Sequence, residues 1–210
     1  MKPDFSTTKA FIFDLDGTLI DSEKYHADGF AFAVEAASGY KITAQERREF
    51  FESHTTRYTP VLAARHGLAL DVDDVLAKKR EYVKTNFKTE TFPDALEFVG
   101  KWRGKKRMAL ASNSPLKFVA NALEDIGLSN AFETVCTADD VTHRKPEPEM
   151  YLLTLRRMNL APSEVFVFED SPAGVTAAQS AGCPVVMVEN GAGRAVDGVK
   201  KYLWKELSQL

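Results

Sequence analysis

Three aspartates stand close together near the start of this chain, directly after an apolar run. In AFIFDLDGTLID the run AFIF is followed by Asp14 and Asp16, and Asp21 comes five residues later. Carboxylates at the end of a buried strand repel one another unless a hard cation lies between them, and Mg²⁺ prefers oxygen ligands of this kind. An ionised carboxylate can also attack phosphorus. The stretch therefore indicates both a metal site and a nucleophile.

Other segments bring further polar side chains to comparable positions. Ser112 and Asn113 follow the run RMALA, and Glu169 and Asp170 end the run EVFVFED. Lys145 lies in the proline-stiffened loop HRKPEPEMY. Because ligands of open parallel sheets bind outside the carboxyl ends of the strands, we expect these side chains to share one rim with the aspartates.

The acidic residues of this rim predict a Mg²⁺ site. We expect Asp14, Asp170 and the main-chain carbonyl of Asp16 to bind the ion, with Glu169 as a further ligand or as a group that supports the ligands. An Asp-Glu pair at one strand end is by itself more often a solvated loop. The agreement of several loops favours the metal site.

The remaining rim residues suit phosphoryl chemistry. The Ser112 hydroxyl can donate a hydrogen bond to a phosphoryl oxygen, and the Lys145 ammonium supplies a compact positive charge. Asp14 would then be the nucleophile. Asp16, in a turn that Gly17 permits, would protonate the leaving oxygen and later activate water.

The order of apolar and amphipathic stretches predicts an α/β fold. Each strand-like run is followed by a turn signal and a helical pattern, which is typical of a parallel sheet with helices on both faces; the runs are KAFIFDLD, RMALASN, FETVCTA, EVFVFED and PVVMVEN. Residues 22–88 show only helical periodicity. We therefore predict a core of residues 1–21 and 89–210 and an inserted all-helical domain of residues 22–88.

Two Ser-Pro pairs are typical of helix starts. Ser114-Pro115 and Ser171-Pro172 predict helices whose N-cap is serine and whose first helical residue is proline, and Pro93 is placed to begin another helix.

Four segments together resemble the signature motifs of the haloacid dehalogenase superfamily. DLDGTLIDS, ASNS, KPEPEMY and FEDSPAGVTAA occur in the family's order and span nearly the whole chain. The resemblance implies a Rossmann-like core, obligatory Mg²⁺ and an aspartyl-phosphate intermediate. The inserted helices resemble the cap of its phosphatase and β-phosphoglucomutase branch. By motif matching, Asp14 takes the nucleophile position and Asp16 the acid/base position. Ser112 and Lys145 take the phosphate-binding positions, and Glu169 and Asp170 the metal positions. The dehalogenase branch is disfavoured because its pattern lacks the second aspartate.

The choice between phosphatase and mutase depends on a few residues. His26, Arg57 and Lys78 or its neighbour Lys79 stand at positions similar to those with which β-phosphoglucomutases hold a sugar phosphate. The mutases typically carry Val-Ile after the glycine of the first motif, whereas this chain has Thr18-Leu19, as most phosphatases do. For Arg57 and the lysines, taken singly, a solvated helix face is the ordinary interpretation.

We therefore expect a Mg²⁺-dependent phosphatase acting on a small phosphorylated metabolite, most simply a sugar phosphate, with Asn113, His26, Arg57 and Lys78 as substrate-binding residues. Phosphoryl transfer of the β-phosphoglucomutase type is the first alternative. A phosphorylatable receiver-type switch that does not turn over is the second, and the large insertion argues against it.

Composition limits the partners. The 27 Lys and Arg against 30 Asp and Glu give a formal charge of −3, which offers no electrostatic basis for binding nucleic acid or an anionic membrane. Cys136 and Cys183 lie in apolar surroundings and are expected to be inert core thiols. We find no targeting or membrane-spanning pattern and expect a cytoplasmic protein. The sequence sets no oligomeric state and is compatible with a monomer.

Overall fold

The fold is built around one parallel β-sheet. The computed structural model describes residues 3–51, 55–191 and 194–210. Within these residues six strands pair in the order β3-β2-β1-β4-β5-β6, and every pair is parallel. The strands are β1 Ala10–Phe13, β2 Arg107–Ala111, β3 Thr134–Cys136, β4 Val165–Glu169, β5 Val185–Val188 and β6 Lys201–Tyr202. The first five were predicted. β6 was missed because two residues at a sheet edge carry no apolar run.

Helices cover both faces of the sheet, as the α/β prediction required. The core helices among the described residues are α5 Pro93–Trp102, α6 Leu116–Asp125, α7 Glu149–Met158, α8 Pro172–Ser180 and α9 Trp204–Leu207. Successive strand side chains point to opposite faces. Ile12 of β1 packs with apolar residues of α7 and α8, whereas Phe11 and Phe13 meet aromatic rings of α5 and α9. β1 therefore contributes side chains to the apolar cores on both faces of the sheet.

Residues 22–88 form a second compact unit. The contacts divide the chain into residues 1–21 with 89–210, which we call the core unit, and residues 22–88, which we call the helical unit. The described helices of the second unit are α1 Glu23–Ser38, α2 Ala44–Phe51, α3 Thr55–His66 and α4 Val72–Asn86. Its own apolar core contains Phe30, Phe50, Tyr58, Leu62 and Val75.

A buried acid anchors the start of α2. Glu46 accepts hydrogen bonds from the Thr43 backbone N–H at 2.7 Å and the Thr43 hydroxyl at 2.9 Å. The Glu46 N–H bonds to Thr43 Oγ1 at 3.2 Å, which completes a reciprocal capping box. Tyr40 and His66 also contact the carboxylate, at 3.2 and 2.6 Å. Burial raises the pKa of Glu46, but these hydrogen bonds outweigh it and lower the pKa to about 2.

The predicted helix starts have different outcomes. Pro93 begins α5 as expected. Ser171 caps α8, because its Oγ accepts the Gly174 N–H at 3.0 Å, and Pro172 is the first helical residue. The prediction for Ser114 is wrong: α6 begins at Leu116 with Pro115 at the cap position, and Asp139 Oδ2 accepts the Leu116 N–H at 2.9 Å.

Candidate active site

The carboxyl ends of β1, β2 and β4 bring the predicted rim residues together. Asp14 follows Phe13 of β1, Ser112 follows Ala111 of β2, and Glu169 is the last residue of β4, with Asp170 after it. All four are buried polar residues. Since β1 lies between β2 and β4 in the sheet, its two neighbours deliver their polar side chains beside Asp14.

Lys145 is the centre of this cluster. Its Nζ donates to Asp14 Oδ1 at 2.7 Å, Glu169 Oε1 at 2.5 Å and the Ala111 carbonyl at 2.7 Å. The lysine side chain is only 3% exposed. Tyr151 adds a fourth group, because its hydroxyl donates to Glu169 Oε1 at 2.7 Å. One buried ammonium thus holds two carboxylates that belong to different strands.

The charges in this cluster are not balanced. Burial raises the pKa of Asp14 well above its usual range; Glu169 raises it further, and Lys145 acts in the opposite direction. Burial would lower the pKa of Lys145, but the charges of Asp14 and Glu169 outweigh it and raise the pKa. The lysine is therefore charged at neutral pH, and this one ammonium faces the two carboxylates of Asp14 and Glu169.

Asp16 lies beside the two serines of the ASNS segment. Its Oδ2 accepts a hydrogen bond from the Ser114 hydroxyl at 2.7 Å and a longer one from Ser112 at 3.4 Å. Its Oδ1 is buried and accepts no hydrogen bond from the residues that the structure describes. The turn needs Gly17, whose φ is +79° and where a Cβ would stand 2.3 Å from Asp170 Oδ2.

Asp170 is held by residues from the segment after β5. Asn190 donates to Asp170 Oδ2 at 3.1 Å and to the Gly17 carbonyl at 2.8 Å. Arg194 forms an ion pair with the same carboxylate. Thr18 reaches the other oxygen, Oδ1, at 3.5 Å. A second cation therefore stands on the acidic side of the cluster.

The chemistry of the donor set fits Mg²⁺. Asp14, Glu169 and Asp170 each offer a carboxylate oxygen, and these oxygens lie within 4.8 Å of one another. All three residues are buried, and hard oxygen donors with excess negative charge are what Mg²⁺ requires. The side chain of Asp16 does not belong to this group of oxygens.

A comparison with known protein families tests the resemblance of the four motifs. Residues 8–182 match the family model of haloacid dehalogenase-like hydrolases. The chain belongs to this family. The resemblance inferred from the four motifs is therefore confirmed, as are the α/β fold and the assignment as a hydrolase.

Relatives of this hydrolase carry phosphatase names. The phosphorylated carbohydrates phosphatase of Thermotoga maritima is 34% identical over 183 residues, which cover 83% of this chain and 82% of the relative. The fructose-1-phosphate phosphatase YqaB of Escherichia coli (strain K12) is 32% identical over 178 residues, 84% of this chain and 94% of the relative.

Solved structures share the fold of this hydrolase. A protein of Thermotoga maritima, provisionally described as a beta-phosphoglucomutase, is 27% identical with a TM-score of 0.72 over 96% of this chain and 97% of that one. CbbY from Rhodobacter sphaeroides, in complex with phosphate, has a TM-score of 0.75 at 24% identity, over 95% of this chain and 96% of that one.

The helical unit contains three of the predicted substrate-binding residues of this hydrolase. His26 lies in α1, Arg57 is exposed on α3, and Lys78 of α4 pairs with Asp74 one turn earlier. Lys79, the alternative to Lys78, donates to Thr55 Oγ1 at 3.1 Å. Contacts of His26, Arg57 and Lys78 with a substrate stay predictions.

Asn113, the fourth predicted substrate-binding residue, has structural partners in the core unit. Its Oδ1 accepts the Lys145 N–H at 3.1 Å, and its Nδ2 donates to the Lys145 carbonyl at 3.2 Å. Both ends of the amide therefore bind the main chain of the lysine. Asn113 fixes the loop that carries Lys145, and a contact between Asn113 and substrate stays a prediction.

Sequence reasoning missed four residues of the cluster. Tyr151 lies within the KPEPEMY motif, and Ser114 within ASNS, so their motifs gave a signal that was interpreted otherwise. Asn190 is the last residue of the run PVVMVEN, and Arg194 follows it in a segment that carries no motif. No described helix is both long and apolar enough to span a bilayer.

Proposed function

We propose that this hydrolase is a Mg²⁺-dependent phosphatase that releases inorganic phosphate from a small sugar phosphate. The observation that carries the proposal is the contact between Lys145 Nζ and Asp14 Oδ1 at 2.7 Å. Asp14 stands two residues before Asp16, the second carboxylate of the same segment. This arrangement supports a nucleophile beside a fixed positive charge and a second acid on the same turn. The names of the two curated relatives support a phosphorylated carbohydrate as substrate.

Each residue has a defined part in the proposed reaction. A carboxylate oxygen of Asp14 attacks phosphorus, and the bond between phosphorus and the sugar oxygen breaks. Asp16 gives its proton to that departing oxygen. Asp16 then takes a proton from water, which attacks the phosphoryl group and restores the Asp14 carboxylate as phosphate leaves. Ser112 and Lys145 would bind the phosphoryl oxygens and hold them in line.

Mg²⁺ fits the acidic side of this site. Asp14, Glu169 and Asp170, with the main-chain carbonyl of Asp16, would hold the ion, and when bound it would supply the positive charge that lets two anions meet. Without the ion, positive charge at the site would be short, because Lys145 is shared between Asp14 and Glu169 and Arg194 pairs with Asp170.

We further propose that the core unit is the catalytic domain and that the helical unit is a cap. The division at residues 21–22 and 88–89 supports this proposal. In the cap His26, Arg57 and Lys78 would contact the sugar. Substrate choice would then depend on the cap side chains, since the core cluster would bind only the phosphoryl group, which all such substrates share.

A mutase is the second candidate, because a Thermotoga maritima structure with that provisional description is similar over nearly the whole chain. In that case the aspartyl phosphate would pass to a second phosphorylated sugar instead of to water. Thr18 and Leu19, which follow Gly17, favour the phosphatase.

Phosphate release from a panel of sugar phosphates tests the proposal. We expect turnover with Mg²⁺, loss of turnover on chelation, and a loss of at least about 10⁴-fold in Asp14→Asn. Asp125→Asn, an exposed carboxylate of the same unit, is the matched control. Interconversion of β-glucose 1-phosphate and glucose 6-phosphate with little phosphate release would favour the mutase. Stoichiometric phosphorylation without turnover would favour a receiver-type switch.

A further inference from the structure

Ser114 makes a contact that its sequence context does not predict. The Ser-Pro pair at residues 114 and 115 is typical of a helix N-cap, yet Ser114 does not cap α6, and the Leu116 N–H donates to Asp139 Oδ2 at 2.9 Å instead. The equivalent pair at residue 171 does cap its helix, through the Ser171 hydroxyl. At residue 114 the hydroxyl instead donates to Asp16 Oδ2 at 2.7 Å.

The backbone of Ser114 is fixed from both sides. Its N–H donates to Ser112 Oγ at 3.0 Å, and its carbonyl accepts the Ala138 N–H at 3.1 Å. The second of these bonds connects the segment after β2 to the segment after β3. The hydroxyl therefore starts from a fixed point, and little conformational entropy is lost when it bonds to Asp16.

The two oxygens of Asp16 differ because of this contact. An ionised carboxylate only accepts hydrogen bonds, so the Ser114 hydroxyl must be the donor to Oδ2. Oδ1 is buried and has no donor among the residues described. A buried acceptor without a partner is costly, and a proton or an incoming hydroxyl at Oδ1 would remove that cost.

We infer that Ser114 is the positioning residue of Asp16: it holds Oδ2, so that Oδ1 is the oxygen that carries the proton to and from the reacting groups. The inference rests on the proposed phosphatase function. Ser114 touches neither the phosphoryl group nor the leaving oxygen in this role and acts through Asp16. Its removal should therefore harm the step in which Asp16 gives up its proton.

Two substrates with different leaving groups isolate this step. The value of kcat/KM reports the reaction up to formation of the phosphoenzyme, which is when the leaving oxygen takes the proton. The alkoxide of a sugar needs that proton, whereas p-nitrophenolate departs without it. The assay compares the best sugar phosphate of the panel with p-nitrophenyl phosphate for wild type, Ser114→Ala, Ser114→Thr and Asp16→Asn.

In Ser114→Ala we expect kcat/KM for the sugar phosphate to fall by about 10- to 100-fold, a part of the contribution of a general acid. The value for p-nitrophenyl phosphate should change less than about threefold. Ser114→Thr keeps the hydroxyl and should recover most of the loss. The exposed Ser180→Ala, at the end of α8, is the matched control and should behave as wild type on both substrates.

A double variant tests whether Ser114 acts through Asp16. If it does, Asp16→Asn combined with Ser114→Ala should be no slower on the sugar phosphate than Asp16→Asn alone. Equal losses on both substrates in Ser114→Ala, or additive losses in the double variant, would overturn the inference and leave the phosphatase proposal intact. A wild-type enzyme that hydrolyses neither substrate would overturn both.

Discussion

Replacement of Lys145 tests how the charge cluster is stabilised. Lys145→Met keeps a long unbranched side chain but removes the ammonium that bonds to Asp14, Glu169 and the Ala111 carbonyl. The two carboxylates are then buried without their counter-charge; their side chains are 9% and 0% exposed. Removing one partner of a buried ion pair typically costs about 3–5 kcal/mol. We expect a loss of this size in the metal-free protein.

The loss is measured by thermal or urea unfolding in the presence of a chelator. For a domain of roughly 150–250 residues, 1 kcal/mol lowers Tm by about 2–4 °C, so Lys145→Met should lower the Tm of the core unit by about 6–20 °C. Lys78→Met is the matched control. Lys78 pairs with Asp74 one helical turn earlier, where both side chains are partly exposed, and its replacement should cost less than about 0.5 kcal/mol.

A second variant shows whether the loss is electrostatic. Glu169→Gln keeps the shape of the side chain and an oxygen that can accept from Tyr151, but it removes one buried charge. Lys145→Met combined with Glu169→Gln should therefore be more stable than Lys145→Met alone. The reasoning is refuted if the double variant gains nothing, or if Lys145→Met costs less than about 1 kcal/mol.

Three other perturbations have clear expected outcomes. Because the pKa of Glu46 is lowered to about 2, its ionised form adds up to about 3 kcal/mol to the free energy of unfolding above pH 4.5, and this stability is lost as the pH falls towards about 2. In Glu46→Gln the free energy of unfolding should therefore depend less on pH between these values. Gly174→Ala should destabilise by about 3 kcal/mol or more in thermal unfolding, because its Cβ would stand 1.8 Å from Glu169 Oε1. Arg194→Gln should raise Mg²⁺ affinity in calorimetry by about 3- to 10-fold, because the guanidinium competes for Asp170.

Matched controls accompany these variants. Glu81→Gln replaces an exposed acid of the same unit as Glu46 and should leave the acid transition unchanged. Gly100→Ala lies in α5 with open space at its Cβ and should stabilise by about 0.5–1 kcal/mol. Weaker Mg²⁺ binding in Arg194→Gln would mean that the arginine orients Asp170 for the ion and does not compete with it.

The sequence by itself predicted five of the six described strands and the main members of the cluster. Buried runs such as AFIF predict strands because they are apolar and short, and a parallel arrangement then places Asp14 and Glu169 at the same edge of the sheet. The local sequence also predicted the starts of α5 and α8, because proline is favoured at the first helical position and serine at the N-cap. Motif spacing indicated Lys145, although not that it would bridge two strands.

Only the tertiary structure decided which partner each polar side chain takes. The Ser114 hydroxyl could have capped a helix, and it bonds to Asp16 because β1 and β2 are neighbours in the sheet. Arg194 reaches Asp170 from the segment after β5 because that strand lies beside β4. A hydrogen bond needs its two groups within about 3 Å. Contacts between residues distant in sequence therefore depend on strand order and loop paths, which no local pattern encodes.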